Sequence, residues 1–214
     1  MRKSVANYLK AIFEASYLQG GTSNKQIAEL LQVAAGSVTE MVTYMESEGL
    51  VQRQKYGQIK LSSAGEQAAW KLIYRYRLFE VWLSKTLDLP LLKIPNQAWT
   101  LAAVNDELLI NRLNIVLAQP THSPFGGCIQ IDERATDELQ VLAQINEQQV
   151  LTIHSYLEQP DMIQYFQYAD LHLGQKLQVI DKNPELQVIA LQAADGQKYL
   201  LNWRLARYIY VFNH

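Results

Sequence analysis

Apolar residues fall at helical spacing over the first third of the chain. Val5, Tyr8, Leu9, Ile12 and Phe13 predict an amphipathic helix over 3–18, ended by Gly20 and Gly21. Ile27, Leu30 and Leu31 share a face of a short second helix, and Ser23 and Gln26 stand at capping-box spacing before it. The small, uncharged run Val33-Ala34-Ala35-Gly36 marks a tight turn. Val38, Met41, Val42 and Met45 then recur at i, i+3, i+4 and i+7, the buried stripe of a third helix. Ser37, Thr39, Glu40, Thr43 and Tyr44 fall on its other face, and Gly49 supplies the stop. Residues 50–53 and 58–61 flank Tyr56-Gly57, a hairpin signal. Three helices and a two-stranded wing make a winged helix-turn-helix.

The pattern changes twice after the wing. Ser63 and Glu66 have capping-box spacing and open a long helix to about Leu87, with Trp70, Leu72, Ile73, Leu78, Phe79, Trp82 and Leu83 along it. A loop over 88–96, with Pro90 and Pro95, leads into two apolar helices ending at Pro120. Trp99, Leu101, Ala102, Val104, Leu108, Leu109, Leu113, Val116 and Leu117 exceed what one helix buries against one neighbour, which predicts a dimer interface. From 148 onward the apolar runs are short and strand-like, with Asp195-Gly196 as a hairpin turn and one short helix at 161–168, as in a small β-barrel. The expected architecture is α+β. It comprises a DNA-binding domain over 1–70, a helical dimerisation domain over 71–120, a linker over 121–147 and a β domain over 148–214.

Composition and charge narrow the function. With 49% apolar residues the chain can bury a sizeable core. No apolar run is long enough to span a bilayer and the first residues are not a signal peptide, so a soluble cytoplasmic protein is expected. The single cysteine, Cys128, excludes an intrachain disulfide. Net charge is −2, yet residues 1–61 hold seven Lys/Arg against five Glu. A mildly basic head on an acidic body suits a site-specific dimer on double-stranded operator DNA rather than a protein that coats DNA. Ser37, Thr39, Glu40 and Thr43 are the candidates for base edges or nearby phosphates, and Lys25, Arg53, Lys55 and Lys60 for the backbone. No catalytic constellation is apparent: Cys128 with His122 or His154 lacks an orienting partner, and no phosphate-cradling loop or zinc motif is present.

In 6–14, 27–51 and 59–69, and more weakly in 72–83 and 111–117, the chain resembles the diphtheria toxin repressor family of iron- and manganese-dependent regulators. The motif SPFGGCIQI at 123–131 resembles the turn after that family's dimerisation helices, and 161 onward is similar to the SH3-like domain of its longer members. The resemblance covers nearly the whole chain. It implies a homodimeric repressor gated by manganese or ferrous iron.

The ligands that the resemblance implies are replaced. Its first-helix positions fall on Asn7 and Lys10, its histidine on Tyr76, and its dimerisation-helix cluster on Trp99, Ala102 and Ala103, while Glu80 alone keeps an acidic type. A hard divalent ion needs several oxygen or imidazole ligands. The large Tyr76 and Trp99 with the small Ala102 and Ala103 read instead as an aromatic plug, a strut between head and dimer core. Metal-independent regulation follows; a regulator gated by an organic effector, a relocated metal site and a winged-helix adaptor that binds no DNA stand as alternatives. Glu80, Asp106 and Glu107 are the weak candidates for a relocated site, and His122, Cys128, His154 and His172 are scattered without ligand spacing.

Overall fold

A computed structural model describes residues 2–54, 57–130 and 138–214. The chain divides into two compact units, 1–75 and 76–214.

The first unit contains α1 (Lys3–Ser16), α2 (Asn24–Leu31), α3 (Ala35–Ser47), β1 (Val51–Arg53), β2 (Ile59–Leu61) and the first half of α4 (Ser63–Lys85). All five predicted apolar residues of α1 are buried, and α2 and α3 close over them with Ile27, Val38, Val42 and Met45 at 0% exposure. The Phe13 ring meets Trp70 edge-on at 4.8 Å. The capping box of α2 is formed: Ser23 Oγ accepts from Gln26 N and Gln26 Oε1 accepts from Ser23 N. The turn to α3 lies slightly earlier than the sequence suggests. Gln32 takes the left-handed conformation at φ 55° and α3 already begins at Ala35. β1 and β2 pair antiparallel, Val51 opposite Leu61, and Thr22 adds a two-bond bridge to Ile59 that no sequence signal marked.

Ser62, not Ser63, caps α4, its Oγ accepting from Gly65 N at 3.0 Å. Gly65 is required there, because a Cβ would lie 1.9 Å from the Leu50 carbonyl oxygen. The Asp88–Asn96 stretch, expected as a loop, becomes helical earlier: a single 3-10 turn at Leu91–Lys93 leads into α5 (Ile94–Leu101), whose first turn accepts Pro95 because no helical donor is needed there.

The second unit continues through α5 and α6 (Glu107–Val116) into a six-stranded antiparallel sheet. Its strands are β3 (Leu139–Val141), β4 (Val150–Tyr156), β5 (Lys176–Asn183), β6 (Val188–Ala193), β7 (Lys198–Asn202) and β8 (Ile209–Asn213), in the order β3-β8-β4-β5-β6-β7. Two helices, α7 (Pro160–Tyr168) and the short α8 (Trp203–Ala206), complete it. The hairpin at Asp195-Gly196 is present, Gly196 taking φ 90°. This is the SH3-like module. The segment expected as a linker is not one where it is described: 121–129 folds back as a turn with Phe125 and Ile129 at 1% exposure, and β3 pairs with β8. Residues 131–137 of that segment lie outside the described residues. No helix among the described residues is long and apolar enough to cross a membrane.

Candidate DNA-binding surface and metal positions

The outward face of α3 is polar and fully presented. Ser37, Thr39, Glu40 and Thr43 are exposed, while Val38, Val42 and Met45 hold the opposite face in the core. The two threonines are oriented by their surroundings. Thr39 Oγ1 donates to the Ala35 carbonyl and accepts from Asn24 Nδ2 at 2.9 Å. Thr43 Oγ1 donates to the Thr39 carbonyl and accepts from the Arg53 guanidinium at 2.7 Å. Their hydroxyl protons are spent on the helix, so toward a partner they offer a methyl group and the remaining acceptor capacity.

The wing reaches the same surface through Arg53. Its guanidinium lies 3.5 Å from the Glu46 carboxylate, exposed on both sides, so the charge sits beside α3. Lys25 is exposed in the first turn of α2, and Lys60 on β2 is half-buried. Lys55 and Tyr56 lie outside the described residues. Two contributors carry no sequence signal that would have found them. Asn24 ties the start of α2 to Thr39, and the Arg2 guanidinium stands 5.7 Å from the Tyr44 ring centroid, adding a cation to this face. Each acts through one side chain reaching another element, which leaves no periodicity behind.

The positions where a family ion would be held carry other chemistry. In α1 the Lys10 ammonium pairs with Glu14, one turn on, and both are largely withdrawn from solvent. In the second unit the Tyr76 ring is 1% exposed and meets Trp99 edge-on at 5.6 Å. Ala102 is buried at 1% exposure, whereas Ala103 is exposed because it lies in the turn past the end of α5. Asn7 is half-buried in α1 and offers an amide oxygen, and Tyr76 a phenol, but the indole, the two alanines and a paired ammonium offer a hard cation nothing. With Glu80 the single carboxylate and no imidazole among these positions, they do not fit the ion. Asp106 is occupied as a helix cap, its carboxylate accepting from Leu109 N at 3.0 Å at the start of α6. Glu107 is exposed beside it. Glu80 is buried at 1% exposure, and its charge, after burial itself and Glu158, helps push the Tyr156 phenol upward. His172 is exposed, 3.0 Å from Asp170. His122, Cys128 and His154, which their spacing kept apart, come together instead.

The model for the iron-dependent repressor N-terminal DNA-binding domain matches residues 1–59, and the one for the iron-dependent repressor metal-binding and dimerisation domain matches 62–131. The chain belongs to the iron-dependent repressor family. Among relatives of this family, the iron-dependent repressor IdeR of Mycobacterium leprae is 30% identical over 122 residues, 57% of this chain and 53% of that protein. The diphtheria toxin repressor of Corynebacterium jeikeium is 28% identical over 165 residues, 73% of this chain and 69% of that protein. The chain thus spans about half the length of the first of these relatives. Two solved structures extend over the whole chain and the whole of their own: the manganese regulator SloR at 27% identity and TM-score 0.84, and the metal-dependent transcriptional regulator MtsR at 25% and 0.88. The likeness to SloR and MtsR therefore includes the SH3-like module, beyond the residues that the repressor-family models match.

Proposed function

We propose that this chain is a dimeric, operator-binding transcriptional repressor of the cytoplasm, whose DNA binding does not depend on the ion of the iron-dependent repressor family. The observation that carries the DNA-binding reading is the exposed polar face of α3 between Lys25 and Arg53. An α-helix fits the major groove of B-DNA, where short polar side chains reach base edges while flanking cations meet phosphates. Ser37, Thr39, Glu40 and Thr43 take the first role, with Glu40 suited to accept from a cytosine amino group. Lys25, Arg53, Lys55 and Lys60 take the second.

The dimer reading rests on α6. Leu108, Leu109, Ile115 and Val116 are 51% to 77% exposed in the single chain. They lie at i, i+1, i+7 and i+8, one stripe of the helix, and a stripe of this kind is buried against a second copy. Metal independence rests on Lys10, Tyr76, Trp99 and Ala102: with Lys10 paired to Glu14 and two rings in contact, the family's positions keep a single carboxylate, Glu80, and no imidazole, too few strong ligands for a hard divalent ion.

The salt dependence of binding to duplexes selected from a random pool tests the DNA-binding reading. Up to four cations per protomer, eight per dimer, predict that log K falls with log salt at a slope of about −7, and Arg53→Ala reduces the slope by about two per dimer. Failure to select any duplex, or a salt-insensitive affinity, identifies a winged-helix adaptor instead.

A further inference from the structure

The turn over 121–129 is pressed against β4. Ser123 N donates to Gly127 O at 2.9 Å, Ile129 N to Thr121 O at 2.8 Å, and Tyr156 N to Phe125 O at 3.1 Å. Gly126 makes the approach possible: it has φ 83°, and a Cβ there would lie 2.2 Å from the His154 carbonyl oxygen. On the turn, His122 and Cys128 form an antiparallel bridge, which places their side chains directly opposite one another. On β4, His154 falls at the break in register with β8 between Ile153 and Ser155, and a bulge of this kind re-aims a side chain. One ligand atom from each of His122, Cys128 and His154 therefore lies within 4.8 Å of the others.

We propose that His122, Cys128 and His154 form a binding site for a borderline-soft divalent metal ion of the zinc class, with a fourth position left to water or a small anion. Two imidazoles and a thiolate are the donor set such an ion prefers, and hard manganese or calcium disfavours it. A tetrahedral zinc ion needs its ligand atoms about 3.5 Å apart, so the three must close by about 1 Å. The exposed His122 side chain has the freedom to do so. Each ring is also steadied by a hydroxyl: His122 Nδ1 lies 2.9 Å from Thr121 Oγ1, and His154 Nδ1 lies 3.0 Å from Ser155 Oγ. In the tautomer whose Nδ1–H donates to the hydroxyl oxygen, Nε2 carries the lone pair, the arrangement that outer hydrogen bonds favour in ligating histidines. The His154 ring is further fixed edge-on to Phe212 at 5.0 Å.

Burial draws both imidazoles below their ordinary range, His154 to about 4, so they are uncharged at neutral pH, as a ligand must be. Arg77, whose guanidinium donates to the Cys128 carbonyl, contributes to that lowering and also opposes a cation. The thiolate offsets this repulsion by cancelling one charge of the ion, and its proton leaves to solvent on binding. None of the three residues is among the positions where the resemblance places the family's ion, and the proposal is independent of DNA binding.

Cobalt(II) titration of the reduced full-length protein tests the site. Because Cys128 is the single cysteine, a thiolate-to-cobalt charge-transfer band in the near ultraviolet has one source. The site predicts one cobalt ion per chain with that band, bleached by one equivalent of zinc and lost in Cys128→Ser. His122→Gln and His154→Gln each weaken cobalt binding by about tenfold or more; His122 is exposed, so its variant retains the fold. Absence of the band at saturating cobalt overturns the site. So does a band whose affinity neither histidine substitution changes, or one that zinc does not displace.

Discussion

Single side chains carry the proposal that this chain does without the ion of its family. Lys10 brings a positive charge to a position from which the resemblance expects a ligand, and Glu14 answers it within the same helix. Tyr76 and Trp99 fill space through ring contact, an arrangement that favours edge-on pairs and adds about 1 kcal/mol to the burial itself. Trp99→Ala leaves the Tyr76 ring, at 1% exposure, against a void. The expected cost is about 2–3 kcal/mol, less than for a fully buried tryptophan because Trp99 is half-buried. In a chain of 214 residues that lowers the thermal midpoint by about 5–10 °C. An unchanged midpoint in a calorimetric scan removes the supporting role assigned to this pair.

At the scale of elements, α3 and α6 divide the work. α3 keeps its apolar side inward with Val38, Val42 and Met45 and presents the polar side to which recognition is assigned in the proposal. The wing is coupled to it by Arg53, whose bond to Thr43 places a guanidinium beside the polar face of α3, as the proposed phosphate contact requires. α6 does the opposite: Ile110 is its buried anchor, and Leu108, Leu109, Ile115 and Val116 remain outside. Val116→Glu, at a residue 77% exposed in the single chain, leaves the fold of each chain intact but puts a charge into the proposed dimer seam. Sedimentation analysis should show a monomer with unchanged helical content. A variant that remains dimeric places the interface elsewhere.

Over the whole molecule, legibility followed the range of the interactions. The first unit was readable because its signals are local: the i, i+3, i+4, i+7 stripe of α3, the Ser23–Gln26 box, and Gly49, which takes φ 72°. The Asp195-Gly196 hairpin was readable for the same reason. Distant pairings were not. β3 is only Leu139–Val141 and exists as a strand because β8, some seventy residues later, supplies its hydrogen bonds. His122, Cys128 and His154 looked scattered because a bridge, a bulge and Gly126 bring them together, and none of these has a spacing signature. Ala103 failed for a smaller reason: α5 ends before it, which carries it out of the packed cluster.

The most direct test of metal-independent repression is the affinity of the purified protein for its selected duplex, in excess chelator and again with manganese or ferrous iron restored. The same dissociation constant in all three conditions is predicted by the proposal that Lys10, Tyr76, Trp99 and Ala102 have taken the place of the family's ligands. An affinity that collapses in chelator and returns with manganese or iron contradicts metal independence, and directs mutation to Glu80, Asp106 and Glu107.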